Sequence, residues 1–173
     1  MKKTIFIAIV LAFAFFVSGC VSTQTKTYTN DQYGFSMKYP ADWYANGGFS
    51  TFSNKKEACD KSTCGADFRG FSMNVISEEE WIKAALDRKA DDEKNATDKE
   101  IITTKDGEKI DFYIHRFKTG DDSGLSYPHA TAYYVGDKYI VEFDIATELS
   151  GEAGQEEEIN SLRTSLESFS KVK

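Results

Sequence analysis

The stretch from Glu100 to Phe117, EIITTKDGEKIDFYIHRF, limits the fold more than any other part of the chain. Apolar and polar residues alternate on both sides of Asp106-Gly107, a pair that suits a tight hairpin turn because glycine and aspartate tolerate positive φ. A two-residue turn sets Thr103 opposite Ile110 and Ile101 opposite Phe112. Ile101, Ile110, Phe112 and Ile114 then share one face, and Glu100, Asp111, Tyr113 and His115 share the other. A second hairpin, HATAYYVGDKYIVEFDIA, turns at Gly136-Asp137 and sets Tyr134 against Tyr139, Ala132 against Val141 and Ala130 against Phe143. Its other face carries His129 across from Asp144 and Thr131 across from Glu142. Two hairpins with one apolar side each call for an antiparallel sheet packed on one face. A bulged three-residue turn would move every pair by one step.

The remaining segments supply the cover. In YGFSMKYPADWY, Phe35, Met37 and Tyr39 alternate with polar residues, and Pro40 ends the strand. GGFSTFS is a weaker strand containing Phe49 and Phe52, and DFRGFSMNVI places Phe71, Met73 and Val75 on one face. Ser77 and Glu80 have the spacing of a capping box. Trp81, Ile82, Ala85 and Leu86 then form the apolar stripe of a helix reaching about Glu93. Ile159, Leu162, Leu166 and Phe169 form the stripe of a closing helix. Three strands, a helix, two hairpins and a helix make an α+β fold with a central antiparallel sheet flanked by helices.

The N-terminus speaks of address. Lys2 and Lys3 precede thirteen almost wholly apolar residues, Ile5 to Val17, which is short for a membrane span and suited to a secretory signal. Val17-Ser18-Gly19-Cys20 resembles the bacterial lipobox, which implies cleavage after residue 19 and acylation of Cys20. Residues 1–19 are then a signal peptide, residues 20–32 a lipidated cysteine with a polar tether, and residues 33–173 one domain. A diacylglyceryl group gives a firm hold without a transmembrane helix. The protein is expected outside the cytoplasm, on the cell membrane or an outer membrane. Of three cysteines, acylation leaves Cys59 and Cys64, for which a structural disulfide is the expectation in an exported chain.

Charge narrows the partners. Losing residues 1–19 removes Lys2 and Lys3, leaving 19 basic against 28 acidic residues and a net charge of −9. Such a surface repels nucleic acid and anionic headgroups, so no nucleic acid is expected as a partner. Thirteen Phe and nine Tyr supply enough apolar area for a core in one domain of this size.

Two segments carry a family resemblance. YGFSMKYPADW, Tyr33 to Trp43, resembles the opening signature of PsbP-like domains, and EINSLRTSLESFS is similar to the family's last helix. The resemblance implies an α/β/α sandwich for residues 33–173 and little about activity. The insertion bearing Cys59 and Cys64 departs from the family's pattern.

The two histidines are the sharpest chemical candidates. The tight registers put Asp98 across from His115 and Asp144 across from His129. Each carboxylate would raise its histidine's pKa above about 6.5. We read these as ordinary cross-strand charge pairs, with a divalent metal site or a general-base pair as the alternative. Asp121 and Asp122 lack the alternating ligands of a calcium loop. There is no GxSxG elbow, SxxK pair or glycine-rich phosphate loop, and no cofactor is expected. The functional expectation is a non-catalytic binding or accessory domain on a membrane, engaging another envelope protein or a small ligand. The alternatives are a metal-binding protein or metal-dependent enzyme using His115 and His129, and a purely structural envelope component.

Overall fold

A computed structural model describes residues 24–46, 51–56, 68–115, 129–146 and 152–172. Cys20, Cys59, Cys64, Phe49, Asp121 and Asp122 lie outside these residues, so acylation, the disulfide and the aspartate loop do too. Strands β1 (Thr25–Asn30), β2 (Phe35–Pro40) and β10 (Ser170–Lys171) form a small sheet in the order β1-β2-β10. Strands β3 (Tyr44–Asn46), β4 (Thr51–Ser53), β5 (Gly70–Ile76), β6 (Asp98–Thr103), β7 (Lys109–His115), β8 (His129–Val135) and β9 (Ile140–Ala146) form the main sheet. Its order is β3-β4-β5-β9-β8-β7-β6, and every pairing is antiparallel. Helix α1 (Glu79–Asn95) packs on β5, β7 and β9, while α2 (Glu152–Glu167) packs on β2, β5 and β6. The fold is α+β, as expected.

The polar segment read as a tether is not all tether, because Thr25–Asn30 is a strand paired along β2. Its threonines favour extended backbone. Tyr28 sets its ring edge-on to Phe52, centroids 5.2 Å apart. Apolar alternation was missing because most of this strand's side chains are exposed. A turn at Gly34, with φ of 67°, joins it to β2.

Phe35, Met37, Tyr39 and Trp43 are all buried, together with Ile159, Leu162, Leu166 and Phe169. They form one core with Phe71, Met73, Phe112 and Phe143 between the main sheet and the layer of α2 and the small sheet. Phe169 stacks on Phe35 at 5.1 Å and meets Phe143 edge-on at 6.5 Å.

Both hairpin registers differ from the tight-turn expectation. In the first, Gly107 has φ of 80° and its N–H donates to Thr104 O at 3.0 Å. Thr104 N–H donates to Glu108 O at 2.9 Å. The loop is therefore three residues, with glycine in the left-handed position of a bulge. Ile102 pairs with Ile110, Glu100 with Phe112, and Asp98 with Ile114 rather than His115. This one-step slip buries Ile102 and leaves Ile101 64% exposed. In the second hairpin Val135 pairs with Ile140, Thr131 with Asp144 and His129 with Ala146. That slip is two steps, so every side chain keeps its expected face.

Helix α1 departs most from expectation. Glu78 takes the N-cap position without a side-chain cap, and the Ser77 hydroxyl instead lies 3.1 Å from the Tyr33 hydroxyl. Of the expected stripe only Ala85 is buried, whereas Trp81 is 59% and Leu86 42% exposed. What α1 turns toward the sheet is largely charge.

Candidate functional site

The sheet face beneath α1 is polar by parity. Along β5, β9, β8 and β7 the side chains alternate, and the set facing α1 includes Asn74, Glu142, Asp144, His129, Thr131, Tyr133, Asp111 and His115. Among the described residues, the apolar packing here consists of Ile76, Ala85, Tyr113, Tyr133 and Ile140, with Ile82 and Ala96 beside them. Three α1 side chains at i, i+1 and i+4 meet this face. The Arg88 guanidinium donates to both carboxylate oxygens of Glu142, at 2.9 and 2.6 Å. Lys89 Nζ lies 3.0 Å from Asp111 Oδ2. Asp92 Oδ2 accepts from the hydroxyls of Thr131 and Tyr133, each at 2.7 Å.

His115 and His129 are direct cross-strand partners, which neither expected register predicts. Their rings stack at 4.1 Å with 9° between planes. Asp92 Oδ1 stands 3.1 Å from His115 Nε2. Among the described residues this buried nitrogen has a close carboxylate but no hydrogen-bond partner. Asp92, His115 and His129 offer ligating atoms that all lie within 4.8 Å of one another.

Of the residues singled out from sequence, the fold brings together His115 and His129. Asp144 keeps the same face, diagonal to His129 and opposite Thr131. Asp98 is excluded, since its partner Ile114 points to the face opposite His115. Asp92 takes its place. The signal for Asp92 was the charged run LDRKADDEKN, which reads as a solvated helix surface unless the sheet below is already known to be polar.

Burial pushes the His115 pKa down, the neighbouring His129 adds to this, and Asp92 opposes it without prevailing. The expectation of a raised value is thus reversed. Burial also raises the Asp144 carboxyl and, with the bond to Asp92, raises the Tyr133 phenol strongly. Tyr133 is therefore a fixed donor to Asp92. The bond to Glu142 raises Arg88 further despite its partial burial.

Beside these contacts a cleft of about 790 Å³ opens between α1 and the sheet, reached by Asn74, Asp91, His129, Tyr133 and Asp144. Asp92 and His129 of the three-residue cluster line it.

No family model matches the chain, and no curated protein matches it. Among solved structures, the solution structure of cyanobacterial PsbP (CyanoP) from Synechocystis sp. PCC 6803 is similar, with 14% sequence identity and a TM-score of 0.49. The match covers 89% of this chain and 96% of that one.

Proposed function

We propose that this chain is a non-catalytic binding or accessory domain, held outside the cytoplasm by acylated Cys20, that engages an envelope protein or small ligand through the cleft beneath α1. The carrying observation is the polar lining of that cleft. A helix that served only to close the fold would bury an apolar stripe, whereas α1 leaves Trp81 and Leu86 exposed and directs Arg88, Lys89 and Asp92 inward. A cleft of about 790 Å³ is within the roughly 300–1,000 Å³ range of ligand sites. Its hydroxyls support binding rather than covalent chemistry, since Thr131 and Tyr133 are both committed as donors to Asp92. Cys59 and Cys64 complete the reading as a structural disulfide in an oxidising compartment.

The test uses crosslinked membranes and two variants. Cys20→Ser should move the chain from the detergent phase to the aqueous phase. Asn74→Arg, an exposed position on the cleft wall, should abolish recovery of species that the wild-type chain captures. Identical capture by a folded Asn74→Arg chain would overturn the cleft assignment, and unchanged membrane partition of Cys20→Ser would overturn the anchor.

A further inference from the structure

We propose that Asp92, His115 and His129 form a binding site for one divalent transition-metal ion of the zinc class, with its open coordination position facing the cleft. Its placement rests on the reading of the cleft as a binding face. The ligands come from three packed elements, α1, the end of β7 and the start of β8, so the backbone holds all three without a loop. Two imidazoles and one carboxylate make a set that favours zinc, cobalt, nickel or copper over calcium or magnesium, which prefer oxygen alone.

One ligand pair already has the spacing of a loaded site. Two ligands about 2.0–2.1 Å from one tetrahedral ion stand roughly 3.3 Å apart. His115 Nε2 and Asp92 Oδ1 are already 3.1 Å apart and are not hydrogen-bonded to each other. The nitrogen is buried and lacks a hydrogen-bond partner among the described residues, an arrangement that costs free energy unless something occupies its lone pair. The carboxylate is oriented by two hydroxyls on Oδ2, which leaves Oδ1 directed at the histidine, as outer partners orient metal ligands elsewhere. The imidazoles stack nearly parallel at 4.1 Å, so their lone pairs do not yet converge. Loading therefore requires the His129 ring to turn so that a nitrogen, within 4.8 Å of the other two ligand atoms, faces the ion. Three protein ligands leave a fourth position, which a water or a donor atom of the cleft's occupant fills.

The test uses the full chain, purified in detergent without a polyhistidine tag, stripped of metal and titrated with zinc chloride and with cobalt(II). One equivalent of zinc is expected, and cobalt should give the visible absorption of a four-coordinate N/O site. His129→Gln and Asp92→Asn should each weaken zinc binding by more than tenfold. Tyr133→Phe, which keeps the packing and removes one outer hydroxyl, should weaken it by roughly 10–100-fold. Retained one-equivalent binding in a folded His129→Gln chain would place the ion elsewhere and overturn the proposal. No saturable uptake by the wild-type chain would also overturn it. Asn74→Arg separates the two readings because it obstructs the cleft without touching a ligand. Zinc bound normally by that variant while partner capture is lost supports both. Capture lost in the variant with no zinc bound by either chain ends the metal proposal alone, and zinc bound with capture unchanged ends the cleft reading alone.

Discussion

The two faces of the main sheet solve burial in opposite ways. Toward α2 and the small sheet, aromatic and aliphatic side chains interlock, and Phe112, Phe143, Ile159, Leu162 and Phe169 are all fully buried. Toward α1, the contact is made by Arg88 with Glu142, Lys89 with Asp111 and Asp92 with His115, Thr131 and Tyr133. Apolar burial is non-directional and scales with area, so the first face carries stability. Ion pairs with partial exposure contribute little each, so the second face holds geometry more than it holds the fold together. A sheet that needed two stabilising layers would not spend five charged side chains, Arg88, Glu142, Lys89, Asp111 and Asp92, on one of them. The difference teaches where substitutions should matter for folding and where for binding.

The largest effect should come from the α2 face. Phe143→Ala should destabilise the chain by about 3–5 kcal/mol, because the ring is fully buried against Phe71 and Phe169. Urea unfolding measures it, and a loss under 1 kcal/mol would mean that the stabilising layer lies elsewhere. Gly70→Val comes next. A Cβ on Gly70 would stand 2.6 Å from Phe52 O and 2.7 Å from Ser53 Cβ, so β4 must shift, at roughly 1–3 kcal/mol. A neutral result in the same assay would show that β4 yields freely.

On the α1 face the readout is pH. His115 has a folded pKa below its unfolded value of about 6.5, so the folded state resists protonation. Its contribution is fully present above the unfolded pKa and is lost as pH falls from there through the folded value. NMR titration of the metal-free chain should place the His115 midpoint below 6.5, and a raised midpoint would show that Asp92 outweighs burial and His129. The smallest effect should be that of Trp81→Ala, within about 0.5 kcal/mol, since the side chain is 59% exposed on α1. A larger loss would mean that α1 packs through the stripe its sequence advertises.

That stripe shows how legibility divided. Phe35, Met37 and Tyr39, and Ile159, Leu162 and Leu166 of α2, were readable because each buried residue sits at the period of its own element, whereas Phe169, expected on the same helix, is buried two residues beyond its end. The second hairpin turns at Asp137-Lys138, where Gly136 N–H donates to Tyr139 O at 2.9 Å, and it kept its faces because a slip of two preserves parity. The first did not, because Gly107 closes a bulge and moves the pairing by one, exchanging Ile101 for Ile102 in the core.

Sequence alone determined the α+β architecture, an apolar and a polar side for each hairpin, and the common side of His129 and Asp144 within the second, since period and turn residues act within a few positions of one another. Tertiary structure decided that the two histidines stand side by side, that Asp98 turns away, and that Asp92 completes the cluster. The neighbours in that cluster come from α1, β7 and β8, and no local period encodes which charged turn of a helix will lie over which pair of strands. The docking of α1 is set by complementarity between its charges and a polar sheet face, and that face exists only once the strands are paired.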